Sequence, residues 1–98
     1  MDAIATDFAT EITHKVVIKN RLGLHARAAA KLAKAAGSFK SEVTLAKDEL
    51  EVDARSILSL LSLGCAYNSQ VVLKAAGVDA KDALRALLAI IEDGFGEE

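Results

Sequence analysis

Residues 13–36 read THKVVIKNRLGLHARAAAKLAKAA, and the change of character along this stretch sets the architecture. Residues 13–19 are rich in β-branched side chains and predict a strand. Residues 20–24 carry Gly23 and predict a loop. Ala26–Ala36 is alanine-rich, the composition that resists helix formation least. Ala29, Leu32, Ala33 and Ala36 recur at helical spacing and give it one small-residue face, and Gly37 supplies a stop. A strand thus feeds a helix through a short loop, and His25 stands at the junction.

Working outward, Glu42–Lys47 and residues 49–53 predict two short strands around a turn near Lys47 and Asp48, each with charged outer positions. Residues 54–63 predict a second helix with Asp53 as its N-cap. Ile57, Leu58, Leu60, Leu61 and Leu63 are too many for one narrow stripe, so part of that helix is core and part is offered to a partner. Gln70–Ala76 predicts the fourth strand. Asp79 then caps a last helix whose core stripe is Leu84, Leu87, Leu88 and Ile91. The order β-α-β-β-α-β-α predicts one α+β domain with its helices on one face of a small sheet. Residues 1–11 show no periodicity and predict a flexible extension, leaving 12–98 as the domain.

The chain has 98 residues, 52% hydrophobic and only 4% aromatic, so its core must be built from Leu, Ile, Val and Ala. The single cysteine, Cys65, excludes an internal disulfide and a cysteine metal cluster. It predicts a small buried filler and suits a reducing cytoplasm. The first residues hold neither a basic start nor a long apolar run, so neither a signal peptide nor a membrane span is expected.

The net charge of −2 hides an uneven distribution: residues 12–41 contain no Asp or Glu, yet hold seven of the twelve Lys and Arg residues. Such a stretch suits an anionic ligand or an acidic protein, although charge alone favours a solvated helix face. Only Phe39 is aromatic within it and no nucleic-acid motif accompanies it, so nucleic acid is not an expected partner. His14 alternates with Thr13 and Lys15 and predicts a surface strand residue.

At residues 20–27, NRLGLHAR, four features converge on His25. An imidazole is a nucleophile with one reactive nitrogen and one able to hydrogen-bond. The unpaired N–H groups of a first helical turn, and the helix dipole, suit a phosphate. Arg27 offers a forked, permanently charged donor to phosphoryl oxygens. A neutral ring needs no base, and the stretch contains no carboxylate to repel the incoming group. These arguments leave His25 balanced between a phosphoryl acceptor and a plain N-cap or loop residue.

The run NRLGLHAR resembles the phosphohistidine site of the HPr family, the phosphocarriers of the bacterial phosphoenolpyruvate-dependent phosphotransferase system. Residues 52–64, VDARSILSLLSLG, resemble that family's second signature, around a regulatory serine, and the ending GFGEE is also similar. The likeness covers residues 12–98. It implies an open-faced sandwich, a four-stranded antiparallel sheet covered on one face by three helices. It implies that enzyme I phosphorylates His25, that His25 then donates to a IIA protein or domain, and that Arg27 supports the phosphoryl group. Ile57, Leu58 and Leu61 would form the docking surface. Ser56 would be either a regulatory phosphoacceptor, where an HPr serine kinase is present, or merely a helix cap.

The resemblance further implies a cytoplasmic monomer in sugar transport or its regulation, with no cofactor, no metal and no independent small-molecule turnover. The alternative is a non-transport regulatory module of the nitrogen-related branch. A docking module that is never phosphorylated could dispense with His25, and a small hydrolase would need a water-positioning group that the local sequence does not offer. One departure stands out: where the family usually has proline after the arginine, this chain has Ala28, which leaves one more N–H to satisfy.

Overall fold

The computed structural model describes residues 11–97. Strand β1 (Glu11–Val17) lies at one edge of a four-stranded sheet, followed across it by β4 (Gln70–Ala76), β2 (Glu42–Lys47) and β3 (Leu50–Asp53). Every neighbouring pair is antiparallel. β1 and β2 therefore run the same way with β4 between them, as do β3 and β4 with β2 between them. Two split β-α-β units interleave, and their helices fall on one face. These are α1 (Ala26–Ala36) and α2 (Ile57–Ser62), joined there by α3 (Ala80–Glu92).

Alternation along the strands decides which face is covered. Val71, Leu73 and Ala75 of β4 and Val43 and Leu45 of β2 are buried, while Lys74 and Thr44 face outward. Against that inner face α1 lays Ala28, Ala29, Leu32 and Ala36, and α3 lays Ala80, Ala83, Leu84, Leu87 and Ile91. Leu88 and Ala33 pack on the cluster while remaining partly exposed. Small side chains at Ala80 and Ala83 let α3 approach β1, β4 and β2 closely, and α1 packs its alanine face on α3 and α2, which is how a chain poor in aromatics closes its core.

Most of the expected fold is present, with corrected boundaries. β1 begins at Glu11, paired with Ala76, and its ladder stops at Val17, paired with Gln70. The length of β4 sets those ends, not the β-branched run to Lys19. The expected extension thus loses Glu11 to the sheet, and residues 1–10 lie outside the described residues. β3 starts at Leu50 because Asp48, at φ +57°, occupies the turn and Glu49 is spent closing it.

The second helix is shorter than expected, and Asp53 is not its cap. The Ala54 N–H remains bonded to the Val43 carbonyl, 2.8 Å away, so the chain is still attached to the sheet at that point. Asp53 instead accepts from the Arg55 backbone N–H (2.8 Å) and its guanidinium (3.3 Å). Its carboxyl is held below the usual range chiefly by that side-chain bond. Ser56 is the residue that caps α2. Asp79 does occupy the N-cap position of α3, but its carboxylate makes no capping bond. It accepts from the Lys40 N–H (2.9 Å), the Ser41 N–H (2.8 Å) and the Ser41 hydroxyl, fastening the start of α3 to the approach to β2.

Candidate functional site

The loop between β1 and α1 is pinned from below. Gly23 has φ +70°, and a Cβ there would lie 2.5 Å from the Cys65 carbonyl oxygen. Only glycine meets both the left-handed backbone and the close approach. Leu24 donates its N–H to the same carbonyl at 2.8 Å. Cys65 is buried, as expected, and burial pushes its thiol pKa up. The buried Asn20 reaches across the loop and donates from Nδ2 to the Gly23 carbonyl at 2.7 Å.

His25 follows in extended backbone, as the N-cap of α1. Its Nδ1 accepts from the N–H groups of Arg27 (3.2 Å) and Ala28 (3.4 Å). The additional N–H that alanine leaves at position 28 is therefore turned onto the imidazole. Because Nδ1 accepts, its lone pair lies in the ring plane and the proton of the neutral ring belongs on Nε2.

Nε2 meets Glu97, a carboxylate 72 residues away in sequence. The other Glu97 oxygen accepts from Asn20 Nδ2 at 3.1 Å. The bond from His25, then that from Asn20, holds the Glu97 carboxyl below the usual carboxylate range. Glu97 is brought there by a tight left-handed turn, Gly94–Gly96, after α3. Its three residues all have positive φ, Phe95 is buried, and Lys31 of α1 donates to the Phe95 carbonyl.

Sequence reasoning missed Glu97 and Asn20 as site residues. The one signal was an aromatic between two glycines near the last residues, the composition of a sharp chain reversal.

The site is partly open. The His25 and Glu97 side chains are 27% and 25% exposed, enough for a reacting partner to reach the ring. A groove beside His25 is lined by both basic and acidic side chains, Lys19, Arg21 and Arg27 together with Glu92, Asp93 and Glu97. Arg27 is exposed, and among the described residues its guanidinium has no hydrogen-bond partner. Ile57, Leu58 and Leu61 are exposed on α2, with Leu58 at 80%, while Leu60 and Leu63 are buried. Helix α2 packs against α1, the helix that His25 caps. Ser56 Oγ accepts from the Ser59 N–H at 3.2 Å. His14 is exposed on β1. Among the described residues no group of three or more His, Cys, Asp or Glu could hold a metal ion, and no helix is long and apolar enough to cross a membrane.

The family model for the PTS HPr component phosphorylation site matches residues 12–93. The phosphocarrier protein HPr of Cupriavidus necator is 46% identical over 80 residues, covering 82% of this chain and 90% of its own length. The phosphocarrier protein NPr of Proteus mirabilis is 42% identical, covering 86% of this chain and 94% of its own. The crystal structure of HPr-C-His from Thermoanaerobacter tengcongensis superposes with a TM-score of 0.83 at 43% identity, over 91% of this chain and 98% of the other. A family match across the sheet, the helices and the His25 loop, with relatives matched over nearly their whole length, places this chain in the HPr family of phosphocarrier proteins of the phosphotransferase system.

Proposed function

We propose that this chain accepts a phosphoryl group on Nδ1 of His25 from phosphorylated enzyme I and donates it to a IIA protein or domain. The observation that carries this reading is the orientation of His25. Its Nδ1 lone pair is already turned toward the N–H groups that open α1, where a phosphate finds donors and the positive end of the helix dipole. Arg27 stands two residues on and stabilises the phosphoryl oxygens with a charge-assisted fork. Ile57, Leu58 and Leu61 form the apolar surface on which partners dock. The protein works in the cytoplasm as a monomeric carrier, in sugar transport or its regulation. Likeness to both HPr and NPr relatives keeps the nitrogen-related branch as the second reading.

Ser56 enters the proposal as a site of control. Its hydroxyl caps α2, and a phosphate there would add charge beside Ile57, Leu58 and Leu61 while keeping oxygens to cap the helix.

The test is incubation with phosphoenolpyruvate and enzyme I of each branch, followed by intact-mass analysis. One added phosphoryl group is expected, removed by mild acid and stable in alkali, with the productive enzyme I naming the branch. An unchanged signal in His25→Ala would overturn the assignment.

A further inference from the structure

We infer that Glu97 is a positioning residue for phosphoryl transfer: it holds the proton on His25 Nε2 and meets the positive charge that the ring acquires as Nδ1 is phosphorylated. This rests on the reading of His25 as the acceptor and adds a part played by the far end of the domain.

Charge accounting motivates it. In the neutral ring the proton sits on Nε2 and the lone pair on Nδ1. As transfer proceeds, that lone pair forms the bond from Nδ1 to phosphorus. The bond from phosphorus to the donor's leaving atom breaks, and its electron pair stays with the donor. No proton moves, so the imidazole becomes an imidazolium bearing a phosphoryl group on Nδ1 and a proton on Nε2. In the return step the phosphorus–nitrogen pair goes back to Nδ1, and the ring departs neutral with the same proton. A carboxylate on Nε2 stabilises the positive charge as it forms during uptake, and the proton kept on Nε2 makes the leaving group of the return step a neutral imidazole and not an imidazolate.

The surroundings fit such a role. Both Glu97 oxygens face donors, His25 Nε2 on one side and Asn20 Nδ2 on the other. A glutamine has one acceptor oxygen and must turn its NH₂ toward one of those two donors, so Glu97→Gln breaks the arrangement with little change of shape. The carboxylate is itself held in place. Asn20 is also tied to the Gly23 carbonyl, and the left-handed turn that delivers Glu97 is anchored by buried Phe95 and by Lys31. Nothing in packing requires an acid at position 97. Its two partners are one residue at the mouth of the loop and the reactive ring.

Two measurements test the role on the full chain. Proton NMR of the unphosphorylated protein should show a downfield, slowly exchanging Nε2–H resonance of His25 that is lost in Glu97→Gln. Steady-state phosphoryl uptake from enzyme I should show kcat reduced roughly ten- to a hundredfold in Glu97→Gln, the loss of one charge-assisted hydrogen bond, with KM little changed. Glu97→Asp, which keeps the carboxylate one methylene back, should recover part of kcat. A wild-type kcat in Glu97→Gln, or a change confined to KM, overturns the role of Glu97 and leaves the phosphocarrier reading intact. Absence of uptake by the wild type overturns both. Should Glu97→Gln prove unfolded by circular dichroism, the Glu97→Asp kinetics decide alone: full wild-type kcat and KM would overturn the inference.

Discussion

Helices α1 and α2 begin with the same device put to different ends. Each is capped by a side-chain atom that accepts from the first turn, His25 Nδ1 for α1 and Ser56 Oγ for α2. In both, the capping atom is the one that the proposed function makes a phosphoryl acceptor. At α1 the cap is part of a braced assembly, with Gly23 locked on the Cys65 carbonyl and Glu97 on the far side of the ring. At α2 the cap serves a helix of six residues whose outer face is apolar and exposed. A nucleophile must be held in one orientation with a reagent's worth of room before it, whereas a docking helix needs exposed area and only enough cap to stay folded.

The largest expected effect separates the two faces of α2. Leu60→Ala should destabilise the fold by about 2–5 kcal/mol, the range for truncating a buried leucine. Leu58→Glu should leave the denaturation midpoint nearly unchanged while strongly weakening binding to enzyme I, measured by calorimetry. If Leu58→Glu unfolds the protein, Leu58 belongs to the core and α2 is not a docking helix.

Next comes the basic side of α1. Arg27→Ala removes an exposed cation that the dipole at a helix start mildly disfavours, so stability should hold or rise slightly. Phosphoryl transfer should fall roughly ten- to a hundredfold, equivalent to about 1.5–3 kcal/mol for a hydrogen bond to a charged group. Stopped-flow transfer at wild-type rates would remove Arg27 from the site. Arg27→Lys should restore only part, because a point charge cannot make the forked contact.

The smallest effect concerns the second cap. Ser56→Ala should lose about 1 kcal/mol, the usual consequence of deleting a side-chain cap. Ser56→Asp can cap as well as serine and should hold that stability. Slower uptake from enzyme I in Ser56→Asp would make this cap a switch, and unimpaired uptake would leave it structural.

How far each helix was legible follows from what its sequence neighbours had to do. The span of α1 could be read directly, because alanine content, spacing and Gly37 all favour the same helix. The start of α2 could not. Its acidic candidate cap, Asp53, is claimed by Arg55, and Ala54 still donates to β2, facts that belong to the sheet rather than to local spacing. That this segment divides between core and surface was readable from its surplus of leucines, whereas the choice of Ile57, Leu58 and Leu61 as the exposed set came from the family resemblance, and Leu60 and Leu63 are the buried ones. At the site, His25 and Arg27 lie within one short run. Glu97 is joined to His25 only through the packing of α3 and the turn after it, and no local pattern encodes a contact across 72 residues.

The interleaving of the two β-α-β units carries a consequence for how this molecule folds. β1 and β2 cannot meet each other, since β4 must lie between them, so the loop before α1 gains its floor only when the chain from Cys65 onward has docked. The imidazole's bonds to the Arg27 and Ala28 N–H groups are local, but the Cys65 floor of its loop and the Glu97 carboxylate on Nε2 are non-local, the kind of contact that raises contact order and slows folding. A partly folded chain would display the same histidine in the same sequence without its orienting partners. Competence to receive a phosphoryl group then becomes a readout of global folding, and a destabilised variant would lose uptake in step with its population of unfolded molecules rather than through a damaged site.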